Sequence, residues 1–201
     1  MNKILVQHHK INSLDRDKLS ARKMFAFGVF CAERQFPIYE KLAVGKNWNN
    51  TKLFRDVLNK IWDWLLDKDD KPQGYLEICD QAVEAVEQSQ VDIDSFAFDA
   101  SLSFSGLIYM VENDIFEPNS IEGTIHSSLN IIHTFLFDYL LDISSSSPEG
   151  ELISNSHELI INEIIEQDYC INMILNSNFS IKSIEMLRQR ASGQSILGNY
   201  L

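Results

Sequence analysis

Basic residues are missing from more than half of this sequence. Across residues 72–181 there is not one Lys or Arg, while 19 Asp and Glu occur. Cysteine is scarce too. Cys31, Cys79 and Cys170 form an odd, widely spaced set, which excludes a disulfide framework and matches no metal-ligand spacing. They are expected to be buried free thiols in a reducing cytosol. Only 4 Pro and 8 Gly are present, and they fall between periodic segments, as in helices joined by short turns. No stretch approaches the roughly 20 apolar residues that a membrane span needs. The opening MNKILVQHHKINSL has no apolar core after Lys3 and no small-residue cleavage site, so no signal peptide is expected. Alternating apolar and polar runs that would indicate a sheet are absent as well.

What is present is an ordinary globular composition. The chain has 201 residues, 45% hydrophobic and 23% charged, enough for one domain with its own core. The pattern predicts an all-α, single-domain bundle of about seven to eight helices. Residues 1–13 are expected to be an N-terminal extension and 191–201 a C-terminal tail. The first helix is expected from Leu14 or Lys18 to Arg34, with Ser13 as a plausible N-cap. A short helix from Pro37 to Val44 follows, ended by Gly45. Asn49 or Asn50 can cap the next, where Phe54, Val57, Leu58, Ile61, Trp62 and Leu65 recur at helical spacing.

Further helices are expected over residues 74–89, 95–113, 120–143, 154–176 and 181–190. The one over 95–113 is apolar on several faces, which predicts a central position. SSSSPEG, at residues 144–150, reads as a helix–helix loop, and Ser180 as the cap of the last helix.

Charge is distributed unevenly along the chain. Residues 1–66 hold 12 Lys and Arg against 6 Asp and Glu, whereas residues 67–201 hold 5 against 23. The total is −12. Helices normally mix signs on exposed faces, because like charges at i,i+4 repel. An acidic surface without counter-charges carries a cost in self-repulsion that a basic partner would offset. The same field would repel nucleic acid and anionic lipid, so neither is expected as a partner.

Motifs of catalysis are few. There is no glycine-rich phosphate loop and no nucleophile elbow. His8 and His9 are adjacent and point apart on any regular element, so a frayed N-terminus is the expected setting. His126 and His133 share a helical face with Glu122, but a di-iron bundle needs Glu-x-x-His twice and the sequence has none. His157-Glu158 resembles the start of a zincin helix, yet Ile161 stands where the second His would be. Trp62 and Trp64 are read as packing residues. Asp99 opens a very apolar helix, where capping or pairing with Arg34 or Arg55 is expected. No cofactor, no metal and no catalytic residue is assigned.

Residues 30–65 carry a resemblance. Glu33-Arg34, Phe36-Pro37 and Tyr39, followed by Phe54-Arg55, Val57-Leu58, Ile61-Trp62 and Leu65, resemble the YjaG-like family of bacterial helical proteins, catalogued as a domain of unknown function. The likeness continues through Asp99-Ala100, residues 157–174 and Ser195-Ile196-Leu197-Gly198, covering roughly residues 18–198. Ile38 departs from the pattern, standing where relatives often have Asn. The resemblance implies an all-helical cytosolic bundle and transfers no catalytic residue. Glu33, Arg34, Pro37, Tyr39, Arg55 and Trp62 match the motif. They are read as an architectural core, with the two arginines paired to carboxylates, in preference to a shared ligand site.

The expected function is therefore binding rather than catalysis. The leading reading is an acidic protein that neutralises a basic protein partner, most concretely an immunity protein blocking a bacterial toxin such as a nuclease. Its expected contacts lie beside loops and on exposed helical faces: Asp92, Asp94, Asp114, Glu117, Glu149, Glu151, Glu158, Glu163 and Glu166. The alternative is a housekeeping regulator or signalling adaptor acting through residues 33–62.

Overall fold

A computed structural model of the chain describes residues 3–12, 19–46, 50–88, 95–115, 118–141, 147–176, 178–193 and 196. Among these are nine α-helices: α1 (Lys3–Asn12), α2 (Ala21–Lys46), α3 (Thr51–Leu65), α4 (Leu76–Gln88), α5 (Ser95–Asn113), α6 (Pro118–Thr134), α7 (Pro148–Ser156), α8 (Glu158–Leu175) and α9 (Ile181–Ser192). The expected all-α bundle is what forms. The caps expected at Ser13 and Asn49 lie outside the described residues. None of the described helices is long and apolar enough to cross a membrane.

The hub is α2, which packs against α3, α5, α6, α8 and α9. Thirteen consecutive positions, Met24 to Phe36, show why, since all of them are buried. Phe36 and Tyr39 meet Phe104 of α5 and Phe54 of α3 in one aromatic cluster, with Tyr39 and Phe54 edge to face at 5.1 Å. Such contacts add to the burial of each ring. The six residues expected on the inner face of α3 are all buried. Helix α5, expected at the centre, packs against α2, α3, α4 and α6 and keeps one exposed strip at Leu102 and Tyr109.

Several local expectations are corrected. Pro37 does not break the chain, because α2 continues through it and past Gly45. Proline in a helix interior costs about 3 kcal/mol, and contacts with five other helices offset that. Asn50 stands at the N-cap of α3, but its side chain makes no capping bond. It accepts from the Tyr39 hydroxyl and donates to the Ala82 carbonyl at 3.2 Å, tying α2 to α4. Pro148 opens α7, with Ser147 Oγ accepting from Gly150 N–H at 3.0 Å, so part of the expected SSSSPEG loop is helical. One long helix over 154–176 is divided at His157, whose Nδ1 accepts from Leu159 N–H at the start of α8. Helix α6 runs on into a π-helical turn, Phe135–Leu140.

The expected N-terminal extension also folds. Ile4, Gln7 and Ile11, spaced along one face of α1, are buried against α6, α7 and α8. Gln7 Nε2 donates to Asp168 Oδ1 at 3.0 Å, and Lys10 Nζ reaches the same oxygen at 2.5 Å. A helix of ten residues is marginal alone and needs this docking. His8 stacks on His126 with ring centroids 3.9 Å apart. In the expected C-terminal tail, Ile196 is buried and its N–H donates to the Arg34 carbonyl at 3.3 Å.

Candidate functional site

Apart from surface ion pairs such as Arg188–Asp63 and Arg22–Asp67, two groups of carboxylates stand out in the fold. The first is internal. Arg34, buried on α2, donates through Nε and Nη2 to Glu163 Oε2 at 3.0 and 2.8 Å. Gln167 Nε2 donates to Glu163 Oε1 at 3.3 Å and to Ser128 Oγ at 2.8 Å. Arg190 of α9 grips Glu166 with two bonds of 2.5 and 2.7 Å, and Arg34 Nη1 stands 3.9 Å from the same carboxylate. On the opposite flank of α2, Glu33 accepts from Arg55 at 2.6 Å and from the Trp62 indole at 3.3 Å. Arg55 also lies over the Phe36 ring, 3.7 Å from its centre.

Buried charges need partners and further hydrogen bonds to be tolerated, and each of these has both. Cys31 and Cys170 lie alongside. Burial, with Glu163 behind it, pushes the Cys31 thiol well up, and burial does the same for Cys170. Both are held as thiols, the inert setting expected of them.

The second group lines an open groove between α4 and α5, with a volume of about 440 Å³. Its walls are Glu77, Asp80, Gln81 and Glu84 from α4 and Glu112 from α5, with Gly74 and Leu76 at one end. Positions 77, 80, 81 and 84 share a face of α4 because they lie three, four and seven residues apart, while Cys79, Ala82 and Val83 turn inward. None of the four carboxylates forms an ion pair among the described residues. Glu112 Oε1 accepts from Tyr75 N–H at 2.6 Å, and Asp80 Oδ1 accepts from Ser105 Oγ at 2.6 Å. These bonds fix the two walls without adding a counter-charge, and Lys71, which bonds the Glu112 carbonyl at 3.3 Å, pairs with Asp114 instead. Gly74 holds the loop at the groove's end with φ +78°, a left-handed conformation that favours glycine. The Cys79 thiol beneath is pushed up to about 12 by burial, then by Asp80 and Glu112. Among the described residues no three His, Cys, Asp or Glu side chains converge closely enough to hold a metal ion. The charge of the groove is spread along it.

The nine residues expected to contact a partner do not form one surface. Asp92, Asp94 and Glu117 lie outside the described residues. Asp114 is exposed after α5 and pairs with Lys71 at 2.6 Å. Glu149 and Glu151 are exposed in the first turn of α7, and Glu158 in that of α8, where a helix dipole favours anions. Glu163 and Glu166 are corrected: they are 0% and 6% exposed and belong to the internal group. Asp99 meets neither Arg34 nor Arg55, which are engaged with Glu163 and Glu33. Glu77, Asp80, Glu84 and Glu112 were not among the expected contacts. The helical spacing of the first three was a usable signal, but the role of Glu112 depends on α5 packing beside α4.

A family model described as a protein of unknown function (DUF416) matches residues 13–198. The crystal structure of a DUF416 family protein from Shewanella baltica OS155 is similar in fold, with a TM-score of 0.73 at 16% sequence identity. The match covers 91% of this chain and 95% of that one. No curated protein matches the chain.

Proposed function

Given that the chain belongs to the DUF416 family, whose description carries no activity, we propose that it is an acidic binding protein whose α4–α5 groove receives a basic segment of a protein partner. The observation that carries this reading is a concave surface with four carboxylates and no cation paired to them among the described residues. Like charges one turn apart, as at Asp80 and Glu84, repel each other in the free protein. A basic partner relieves that repulsion, and the field of the groove speeds its encounter. The spread of the charge suits several Lys or Arg side chains better than one metal ion. An immunity protein that occupies the basic cleft of a toxin, such as a nuclease, is the most concrete form of this role.

The test compares the wild type with the variant Glu77→Gln/Asp80→Asn/Glu84→Gln/Glu112→Gln. Each is tagged, purified from the native host at low salt, and eluted with increasing salt. A stoichiometric basic protein retained by the wild type, released by salt and absent from the variant is the expected result. Retention that is indifferent to salt and to these four charges sinks the proposal.

A further inference from the structure

A second cavity opens on the other side of α5. It lies between α5 and α6, has a volume of about 260 Å³, and is lined by Asp99, Leu102, Ser103, Gly106, Gly123, Thr124, Ser127 and Asn130. Its floor is polar and satisfied. Ser103 Oγ and Ser127 Oγ are 2.9 Å apart, and Ser127 Oγ donates to the buried Gln35 Oε1 at 3.1 Å. The Asp99 carboxyl, half-buried at the cavity and open to solvent, accepts no hydrogen bond from the described residues. Its backbone carbonyl accepts from Ser103 Oγ at 2.9 Å. Burial lifts this carboxyl above the usual carboxylate range. No side chain lining the cavity is a cation, because α5 and α6 belong to the stretch without Lys or Arg.

The two recesses are neighbours. At 100° per residue, Ser105 and Glu112 face α4 while Asp99, Ser103 and Gly106 face α6. Leu102 and Tyr109 fall between them and are 45% and 42% exposed. An apolar ridge thus separates an acidic groove from a cavity with an acidic group. From Asp99 to Glu112 the axis of α5 advances about 20 Å, the reach of roughly six extended residues.

We propose that the Asp99 cavity is a socket for one Lys or Arg side chain of the same basic partner, whose segment crosses α5 with an apolar residue on Leu102 and Tyr109. This rests on the groove reading and adds a second point of attachment. Charge complementarity selects the occupant. A cationic side chain would pair with the Asp99 carboxylate, which has no ion pair among the described residues, in a cavity whose lining also includes the polar Ser103, Thr124 and Asn130. The apolar ridge selects an amphipathic segment over a uniformly charged one.

The probe is an alternating arginine–leucine peptide, added at low salt to the isotope-labelled full chain and followed by amide NMR shifts and calorimetry. Gly74 reports on the groove, and Gly106 and Gly123 report on the socket. All three are expected to shift. Asp99→Asn is expected to weaken binding about tenfold, the loss of one charge-assisted contact, and to silence Gly106 and Gly123 while Gly74 still responds. Gly123→Leu gives an independent check should Asp99→Asn fold poorly. A Cβ built at Gly123 meets no atom within 4 Å, so the larger side chain has room to block the cavity without altering charge. Unchanged affinity and unchanged Gly106 and Gly123 shifts in both variants overturn the socket and leave the groove standing. Shifts at Gly106 and Gly123 with Gly74 silent overturn the groove instead. Shifts reproduced in full by methylguanidinium alone overturn the docked segment in favour of a small-cation site.

Discussion

Carboxylates near α2 and carboxylates on α4 are handled in opposite ways. Glu33, Glu163 and Glu166 are buried, and each meets a guanidinium: Arg55, Arg34 and Arg190. Glu77, Asp80, Glu84 and Glu112 line a groove and pair with no cation among the described residues. The difference comes from which helices are neighbours. Helix α8 packs on α2, and Arg190 of α9 reaches Glu166, so the acids of α8 meet bases from both ends of the chain. Helix α4 packs on α5, and neither carries a base. Part of the positive charge of the first third thus lies inside the fold, and residues 72–181 have no base of their own, Lys71 at their edge bonding the Glu112 carbonyl and Asp114 rather than a groove carboxylate. Acidic residues that support architecture and acidic residues available to a partner are different residues.

The largest effect that would break this comparison is expected at Arg34. Arg34→Met leaves Glu163 buried without its cation, which costs about 3–5 kcal/mol. In a domain of this size that lowers Tm by roughly 6–20 °C. The double variant Arg34→Met/Glu163→Met is expected to recover most of the loss, because an apolar pair replaces a buried ion pair at little cost. Thermal unfolding of both decides it, and a single variant as stable as the wild type would remove the structural role of the pair.

A smaller effect is expected at the edge of the groove. Gly74→Ala places a Cβ in a left-handed conformation, at a cost of about 1–2 kcal/mol. It is expected to weaken binding of a basic peptide more than it weakens the rest of the fold. Denaturant melts alongside peptide titration separate the two. Equal losses would make Gly74 a matter of general stability.

The smallest effect is expected at Asp99, which is half-buried, between the core acids and the groove acids, and pairs with no cation among the described residues. Its pKa in the folded state is raised. The folded protein therefore binds that proton more tightly than the unfolded chain does, and stability falls as pH rises from the ordinary carboxylate range through the raised value. Asp99→Asn removes that loss. The variant is expected to match the wild type in acid and to be slightly more stable at neutral pH, where solvent reaching the half-buried group keeps the gain small. Melts across pH check this, and an Asp99→Asn protein less stable than the wild type at neutral pH would assign Asp99 a partner in the fold.

Much of the fold was legible in the sequence. The six apolar positions of α3 repeat at helical spacing and are the six that are buried. The span of α5 and the cap at Ser180 follow from residue types, with Ser180 N–H donating to Ser183 Oγ at 3.2 Å. Other features depend on contacts beyond the local sequence. Pro37 marks a break by local rules and is overridden by the packing of α2. Helix α1 has too few residues to form alone and is held by Gln7 and Lys10 against Asp168. Glu163 and Glu166 look like an exposed acidic face only while Arg34 and Arg190 are far away in sequence.

Periodicity and residue identity are local properties, so the order of residues alone makes the chain helical and withholds positive charge from 110 consecutive positions. It also carried the family motif, whose residues Glu33, Arg34, Tyr39 and Trp62 are all buried. Only the tertiary structure decided which carboxylates are neutralised and which remain available. Charge pairing acts over a few ångströms, and the distances that matter join residues more than a hundred positions apart, as Arg34 and Glu163 do.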